Sequence, residues 1–388
     1  SASGPTYSVI GGQEYQGYYA NGLIDKNLIW EKIKEFNFGV DLSVLQNRIS
    51  LTADAYRRLS DGQIMKATVP LETGEGSITT NIGAVRNTGI ELGLNLSVIR
   101  NKNFTWDVNL AFARNWSKIT ELPNGDDVSS NWFIGERLNV LRDYTSAGII
   151  TTDGITMRTK DGSRHYTLQE VYDTFGPGGQ GLKWYEGQMA VNDWNNDGKI
   201  DDEDKQIFGC TDPKWTGSLS STMTYKGFDF SFMLYTKQGQ WSRSYFHEQY
   251  MNYGDRGRQK MNFDYYIPAG TPVLDKNTGD VTYLSEAHIG KYPYPNNTEK
   301  TGGGYFSSSS AAVRYHKTSF VKVKNITLGY TFPKAWMSKI AVKHLRLYVN
   351  VINPFCFTDY EGFDPEWASA NLTNGGPASV TYQIGANI

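Results

Sequence analysis

A run of oxygen-bearing side chains between residues 193 and 204 is the strongest candidate for chemistry in this sequence. Gly198 takes position 6 of this run, where a calcium loop of the EF-hand type needs a sharp turn. Asp204 replaces the usual Glu at position 12. The sequence predicts a structural calcium site; the alternative is an acidic, solvated turn that binds nothing tightly. The predicted ligands, at positions 1, 3, 5, 7, 9 and 12, are Asp193, Asn195, Asp197, Lys199 (through its backbone carbonyl), Asp201 and Asp204.

Aromatic side chains in the polar connections form a second candidate group. Flat rings stack on sugar rings and pack against peptide side chains, which buries much apolar area at little entropic cost. We expect some of these rings to face a substrate, whereas packing of the connections against themselves is the alternative for any single ring. The candidates are Trp132, Phe133, Trp184, Tyr185, Tyr245, Tyr250, Tyr253, Tyr265 and Tyr266.

Signatures of catalysis are missing from the sequence. No Ser-His-Asp order, glycine-rich phosphate loop or paired carboxylate stands out, so we do not expect an enzyme. The five histidines show no metal-ligand spacing, and we expect each to be solvated or singly satisfied. Cys210 and Cys356 are expected to be free or buried thiols, although a disulfide is the alternative. The formal net charge of -2 argues against nucleic acid as a partner.

The elements that carry these groups show a two-residue alternation along much of the chain. In Thr88–Ile99, the residues Leu92, Leu94 and Leu96 alternate with polar residues or glycine. Because successive strand side chains point to opposite faces, the leucines should face lipid, and Glu91 and Asn95 should face a water-filled lumen. The alternative is a soluble β-sandwich, whose strands are usually only about five or six residues long. The same alternation recurs in Lys34–Val44, Phe104–Phe112, Trp215–Tyr225, Phe228–Leu234, Leu345–Val351 and Val380–Ile388.

The spacing of aromatic residues favours strands that cross a membrane. Trp215 and Tyr225 lie ten residues apart on one face, roughly 33 Å along a strand at about 3.3 Å per residue. A tilt of about 40° reduces this length to about 25 Å, the height of the apolar band between the aromatic girdles of a barrel. The 25 Tyr and 10 Trp of the chain suit such girdles. No stretch of about 18 apolar residues predicts a transmembrane helix.

Short and long connections alternate, which sets a direction for each strand. Outer-membrane barrels have short periplasmic turns and long extracellular loops. With that rule, nine strands follow in order only if Val140–Ile150 stays out of the membrane. Segment 121–213, which contains the calcium-type loop at 193–204, is then one long extracellular loop. The predicted strands are Ile33–Val44, Arg48–Leu59, Thr88–Ile99, Phe104–Ile119, Lys214–Tyr225, Phe228–Lys237, Val313–Phe332, Lys343–Pro354 and Ser379–Ile388.

Several segments resemble, in family order, the SusC/RagA-type TonB-dependent transporters. The Tyr225–Asp229 segment, YKGFD, matches a family segment outright, and each of the other segments is similar to one. Together they run from about residue 21 to the end of the sequence. The similar segments are Trp30–Lys32 with Phe38–Asp41, Asn81–Glu91, Asp193–Gly209 with Asp212–Pro213, Phe320–Tyr330 and Tyr360–Glu366.

The resemblance implies an all-β fold, a transmembrane antiparallel β-barrel portion with long extracellular loops. Residues 1–388 would supply about nine or ten strands from the C-terminal part of a barrel of about 22 strands. The plug domain and the region that contacts TonB–ExbB–ExbD would lie outside this sequence. In the outer membrane, with a SusD-like surface lipoprotein, such a protein imports oligosaccharides or peptides. The alternatives are a secreted calcium-stabilised glycan-binding β-protein and an outer-membrane adhesin or assembly platform.

Overall fold

The fold is dominated by β-strands that run in long antiparallel hairpins. The computed structural model describes residues 2–21, 23–69, 72, 76–81, 83–122, 125–176, 181–250, 264–275, 277–294, 314–340, 342–369 and 379–388. The strands, in chain order, are β1 (Ala2–Ile10), β2 (Gln13–Asn21), β3 (Leu23–Ile24), β4 (Lys32–Val44), β5 (Ile49–Asp61), β6 (Ile64–Thr68), β7 (Ser77–Asn81), β8 (Ala84–Arg100), β9 (Phe104–Glu121), β10 (Val140–Asp143), β11 (Ser146–Ile149), β12 (Ile155–Thr159), β13 (Gly162–Tyr166), β14 (Met189–Val191), β15 (Gln206–Cys210), β16 (Trp215–Tyr225), β17 (Phe228–Gln238), β18 (Trp241–Arg243), β19 (Pro272–Leu274), β20 (Val281–Tyr283), β21 (Tyr315–Lys317), β22 (Phe320–Thr331), β23 (Arg346–Phe357) and β24 (Thr381–Asn387).

Helices in the described part of the chain are short. They are α1 (Leu168–Phe175), α2 (Tyr245–Tyr250) and α3 (Lys334–Met337), with 3₁₀ turns at Leu182–Trp184, Asp202–Asp204, Ser338–Ile340 and Pro365–Trp367. Thr167 caps α1 in a reciprocal capping box with Glu170, which satisfies amide groups that the first helical turn leaves unpaired. None of these helices has the length and the hydropathy of a transmembrane helix.

Nine strands form one sheet, in the order β24-β23-β22-β17-β16-β9-β8-β5-β4. These strands correspond to the nine that the alternation and the connection lengths predict, and they neighbour one another in chain order. Short turns join the hairpins where the sequence predicts them. The turn at Lys226–Gly227, for example, has positive φ at both residues, as in the type I′ turn that suits a twisted hairpin.

The two faces of this sheet differ in polarity, which confirms the predicted alternation. On one face, Leu42, Leu51 and Leu94 stand opposite one another on β4, β5 and β8, and Leu110 follows on β9. Ser43, Ser50, Asn95 and Asn109 form the adjacent row on the other face. The apolar face is not covered by protein, since Phe36 is 70% exposed and Leu328 is 52% exposed. Exposed apolar surface of this extent marks a face that contacts a membrane or another protein.

Two tyrosines on the polar face lie flat across glycines of the next strand. Tyr56 on β5 pairs with Gly89 on β8, and Tyr348 on β23 pairs with Gly385 on β24. A Cβ atom at either glycine would collide with the tyrosine ring. Each glycine is therefore required by the ring beside it.

The segments between the sheet strands contain small sheets and the buried core. Val140–Ile150 forms β10 and β11, which pair with β15 and β14 and are not part of the nine-stranded sheet, as predicted. The predicted strand Val313–Phe332 is divided instead: β21 pairs with β18, and β22 belongs to the sheet. The break lies at Thr318 and Ser319, whose hydroxyl groups bond to Ser242 and to the Gly239 amide.

The chain divides into two compact units, Ser1–Asn139 with Lys214–Ser221, and Val140–Pro213 with Thr222–Ile388. In the first unit a small core forms around Val85, Ile119 and Leu122, with Trp132 and Leu138 packed against it. The second unit contains a larger core, which we call the loop core. Its buried members are Ile150, Ile155, Met157, Tyr166, Val171, Trp184, Tyr185 and Ala190.

Candidate functional site

Hydrogen bonds between neighbouring strands cover the polar face of the sheet. Arg58 donates to Glu35 at 2.8 Å, and Ser97 donates to Asp107 at 2.6 Å. In the second unit Arg346 pairs with Asp229. The carboxylates Glu35 and Asp107 are thus bonded across strands, as expected for groups on the wet face of a barrel. Such a surface can line a polar passage and offers no nucleophile with an adjacent base.

The segment 193–204 folds as a tight loop around the buried carboxylate of Asp193. This carboxylate accepts from the Asp197 amide at 3.2 Å, from the Gly198 amide at 3.0 Å and from the Tyr166 hydroxyl at 3.2 Å. Gly198 has φ +80°, which provides the sharp turn that the sequence predicts at position 6. Because a carboxylate has about four lone-pair positions, these three donors leave Asp193 with one position for a further partner.

Asp204 closes the other end of the loop. It is also fully buried, and it accepts from the amides of Trp194 at 2.7 Å and Asp201 at 2.9 Å. Burial raises the pKa of this carboxyl, and the backbone donors partly oppose that change. Ile200, within the same run, packs inward against the loop core. The loop is thus held by its own backbone amides.

The remaining predicted ligands lie on the outer side of the loop. Asn195 accepts from the Asp197 amide at 3.1 Å, and Asp197 accepts from the Lys199 amide at 2.8 Å. Asp201 accepts from the Glu203 amide at 2.9 Å. Among the described residues, no three His, Cys, Asp or Glu side chains converge as a metal-ion site. Any ion here would therefore need amide or carbonyl oxygens beside the carboxylates.

Three of the predicted substrate-binding rings are interior packing residues. Trp184 and Tyr185 belong to the loop core, and Tyr266 is fully buried, with its hydroxyl 2.7 Å from Glu186. They present no ring face to a ligand, because segment 140–213 is long enough to build a core that needs large apolar side chains. This burial corrects their prediction as substrate contacts.

The other predicted rings are half-buried or belong to residues that the structure does not describe. Trp132 packs against the core of the first unit, and Phe133 is half-buried beside it. In the second unit, Tyr245 lies under the Arg243 guanidinium and Tyr265 contacts Tyr292. Tyr250 is the last residue of α2, and Tyr253 lies outside the described residues. Within the second unit, Tyr245 and Tyr265 therefore have different ring partners.

A buried polar network around His247 was not predicted from the sequence. The His247 and His316 rings stack with centroids 3.6 Å apart, whereas the sequence predicts each histidine to be solvated or singly satisfied. Ser244 bonds to His247 Nδ1 and to the Tyr360 hydroxyl, both at 2.6 Å. Burial, aided by the nearby charges of His316 and Lys291, lowers the pKa of His247 to about 3. Neutral His247 and the buried Ser244 are inaccessible, so this network is structural. Residues so far apart in sequence carry no local signal for it.

A second unpredicted cluster joins β22 to the 3₁₀ turn at Pro365–Trp367. Lys322 is almost fully buried and lies 2.7 Å from Asp364, and Lys324 lies 2.8 Å from Glu366. Lys322 also contacts Glu366, so each buried charge has an opposite partner. Removing one member of such a buried group is strongly destabilising. Cys210 and Cys356 remain reduced thiols and are not joined by a disulfide, as expected.

A match to a family model decides the class of protein. The model for "TonB dependent receptor-like, beta-barrel" matches residues 3–353, which is most of the chain. The chain belongs to this family. Proteins of the TonB-dependent receptor family lie in the bacterial outer membrane, and so does this one.

Relatives of this TonB-dependent receptor barrel include two named receptors. TonB-dependent receptor SusC of Bacteroides thetaiotaomicron is 29% identical over 377 residues, which cover 96% of this chain and 33% of that protein. TonB-dependent receptor P39 of Formosa agariphila is 28% identical over 389 residues, which cover 94% of this chain and 36% of that protein. The chain therefore spans about a third of the length of the curated relatives it matches.

A solved structure shares the fold of this TonB-dependent receptor barrel. The structure of the RagAB peptide transporter matches with a TM-score of 0.65 and 20% identity, over 99% of this chain and 38% of that chain. The fold assignment from the resemblance to SusC/RagA-type transporters is thus confirmed. The YKGFD segment, Tyr225–Asp229, forms the hairpin turn between β16 and β17, and Asp229 is the acid that pairs with Arg346.

Proposed function

We propose that this chain is the barrel portion of an active nutrient importer of the SusC type. It takes up oligosaccharides or peptides, receives them from a SusD-like surface lipoprotein and is powered by TonB through a region outside this sequence. Transport involves no covalent chemistry on the ligand. Segment 121–213 is an extracellular loop in this proposal.

The polarity of the nine-stranded sheet is the observation that carries the proposal. Its apolar face is exposed, as at Phe36 and Leu328, and its other face carries rows of hydroxyl, amide and charged groups. A lipid-facing outside and a polar inside are what a membrane passage requires. The match to a receptor named SusC and the fold shared with a peptide transporter support import.

Calcium at the 193–204 loop is a second part of the proposal. The pattern of oxygen ligands suits an EF-hand type loop, and the buried Asp193 and Asp204 each accept three hydrogen bonds, which leaves about one lone-pair position apiece. Asn195, Asp197, Asp201 and the Lys199 carbonyl would supply further oxygens. The ion would hold the loop rigid and would take no part in transport chemistry.

Deletion of the gene in the source bacterium tests the import proposal. We expect the strain to lose growth on one complex glycan or on peptides, while growth on simple sugars is unchanged. Complementation with the full-length gene should restore growth. A deletion strain that takes up every tested nutrient normally would contradict import and would favour an adhesin or assembly platform.

Purification of the full-length protein from the outer membrane tests the partner. We expect a large surface lipoprotein to co-purify in comparable amount and to be identified by mass spectrometry. A parallel purification of an unrelated outer-membrane barrel from the same cells is the control. Recovery of the protein without such a lipoprotein would contradict the SusD-like partner, and recovery in the soluble fraction without detergent would contradict the barrel.

A further inference from the structure

An aromatic cavity in the second unit is not accounted for by the proposed function. Its volume is about 300 Å³, and it is walled by Tyr144, Phe208, Trp241 and Tyr315, with Arg158 at its side. Small-molecule sites in proteins range from about 300 to 1,000 Å³. The cavity therefore suits one unit of a polymer better than a long segment of it.

The rings of this cavity are fixed by contacts among themselves. Phe208 meets Trp241 edge-on at 5.5 Å and meets Tyr315 edge-on at 5.2 Å. The strands below them are paired, β10 with β15 and β18 with β21. Trp241 and Tyr315 are only half-buried, so parts of their rings are accessible. Such rings stack on the C–H face of a sugar.

Arg158 gives the cavity a positive charge, and no negative side chain among the described residues lines the cavity to pair with it. It lies on β12, where Met157 and Thr159 are buried and Arg158 points outward. Its backbone amide is held by Asn192 at 2.8 Å, and among the described residues no carboxylate pairs with its guanidinium. A guanidinium is permanently charged and binds a carboxylate through two parallel hydrogen bonds.

The surroundings of the cavity favour an anion. No carboxylate belongs to its described lining. The nearby Asp143 already accepts from the Tyr315 hydroxyl at 3.1 Å and from the Tyr144 amide at 2.9 Å. Lys317 lies over the Trp241 ring at 5.6 Å and adds a second positive charge. Thr145 and Ser146 add hydroxyl groups to the lining.

We propose that this cavity binds one uronate unit of an acidic oligosaccharide. The sugar ring stacks on Trp241 and Tyr315, and its carboxylate pairs with Arg158. The inference rests on the proposed import function and narrows its substrate class. A sugar is favoured over a peptide because aromatic faces, two hydroxyl groups and one guanidinium match a ring with hydroxyl groups and one carboxylate.

Isothermal titration of the full-length protein in detergent tests the proposal. The probes are trigalacturonate, the neutral sugar galactotriose and the peptide triglutamate. We expect trigalacturonate to bind at least about tenfold more tightly than galactotriose, a difference typical of one hydrogen-bonded charge. Tighter binding of triglutamate than of trigalacturonate, or equal binding of the two sugars, would overturn the proposal.

Variants assign the binding to this cavity. Arg158→Gln should remove the preference for the acidic sugar, whereas Lys160→Gln, the loss of an exposed charge two residues away, should keep it. Trp241→Ala should weaken both sugars, and Trp241→Phe should recover most of the affinity. Heat-modified mobility in electrophoresis identifies the folded variants. Unchanged binding by folded Arg158→Gln would overturn the proposal.

The experiments distinguish a failure of the proposed import function from a failure of the uronate-binding proposal. If deletion of the gene abolishes uptake of a nutrient but trigalacturonate does not bind, only the inference is wrong. If trigalacturonate binds through Arg158 but the deletion strain takes up all nutrients, the cavity is assigned correctly and the import function is wrong.

Discussion

The nine-stranded sheet and the loop core place their apolar side chains in opposite ways. On β4 every residue is exposed, including Phe36, Phe38 and Val40. In segment 140–213, by contrast, Ile150 and Met157 are fully inaccessible. The large regular sheet contributes little to the core, and the irregular segment contributes most of it.

This difference indicates two solvents. The loop core follows the rule for a protein in water, in which burial of apolar area drives folding. The sheet follows the rule for a barrel in lipid, in which backbone hydrogen bonds between strands are obligatory and apolar groups face outward. Substitutions at matched sites in the two regions should therefore have different consequences.

The largest effect is expected in the loop core. Tyr166→Ala removes a fully buried ring and should destabilise segment 140–213 by about 3–5 kcal/mol. Tyr166→Phe keeps the ring, loses only the bond to Asp193 and should cost about 1–3 kcal/mol. Limited proteolysis of the folded full-length protein measures the opening of this segment. Equal resistance of the wild type and the Ala variant would mean that segment 140–213 does not fold around this core.

A charge placed on the apolar face of the sheet tests whether that face lies in lipid. Leu92→Arg should destabilise the protein by about 2–4 kcal/mol if the residue lies near the middle of the bilayer. The neighbouring Glu91→Arg should cost much less, because its side chain lies on the polar face. Unfolding by guanidinium of the full-length protein in lipid vesicles measures both. Equal effects of the two variants would mean that both faces meet water.

Calcium should stabilise only the loop region. At a concentration 100 times its dissociation constant, the ion would add about 2.7 kcal/mol to the stability of the 193–204 loop. Asp193→Asn should remove this protection, whereas Asp173→Asn, an exposed site on α1, should not. Proteolysis with calcium, with magnesium and with EDTA measures the effect. The same cleavage rate in all three would mean that the loop is closed by its amides alone.

Acid should weaken the second unit through His247, and within one pH unit below 6.5 this effect is the smallest of the four. Its pKa falls from 6.5 to about 3 because burial opposes the charged form, with His316 and Lys291 adding to the shift. The unfolded chain then binds more protons between these values, so stability is kept above pH 6.5 and lost as pH falls toward 3. Proteolysis around α2 across this range should show the loss. His247→Gln should flatten the profile, and His344→Gln, at an exposed site with no ion pair among the described residues, should leave it unchanged.

The sheet was predictable from the sequence because a two-residue period is a local signal. Leu92 and Glu91 reveal their opposite faces without knowledge of any neighbour. The calcium-type loop was also visible, since its ligands, Gly198 and Ile200 lie within twelve residues. Both predictions depended on residues close together in the chain.

The buried clusters were not predictable because they join distant residues. His247 meets His316, and Lys322 meets Asp364, with no local pattern in either case. Trp184 and Tyr185 were predicted to contact a ligand because their burial also depends on distant residues. An aromatic residue in a long connection has the same local sequence pattern whether it is exposed or buried. The cavity around Trp241 and Tyr315 likewise depends on strand pairing that the sequence does not specify.

The two tyrosine–glycine pairs constrain the alignment of their strands. A shift of β5 against β8 by two residues would keep the apolar and polar faces correct, and so polarity alone would not reject it. Such a shift would place Tyr56 opposite Asn87 or Glu91, where the side chain leaves no room for the ring. Tyr348 imposes the same condition on β24. Each pair thus makes a misalignment that polarity alone would tolerate sterically unfavourable, and so restricts the register of the sheet.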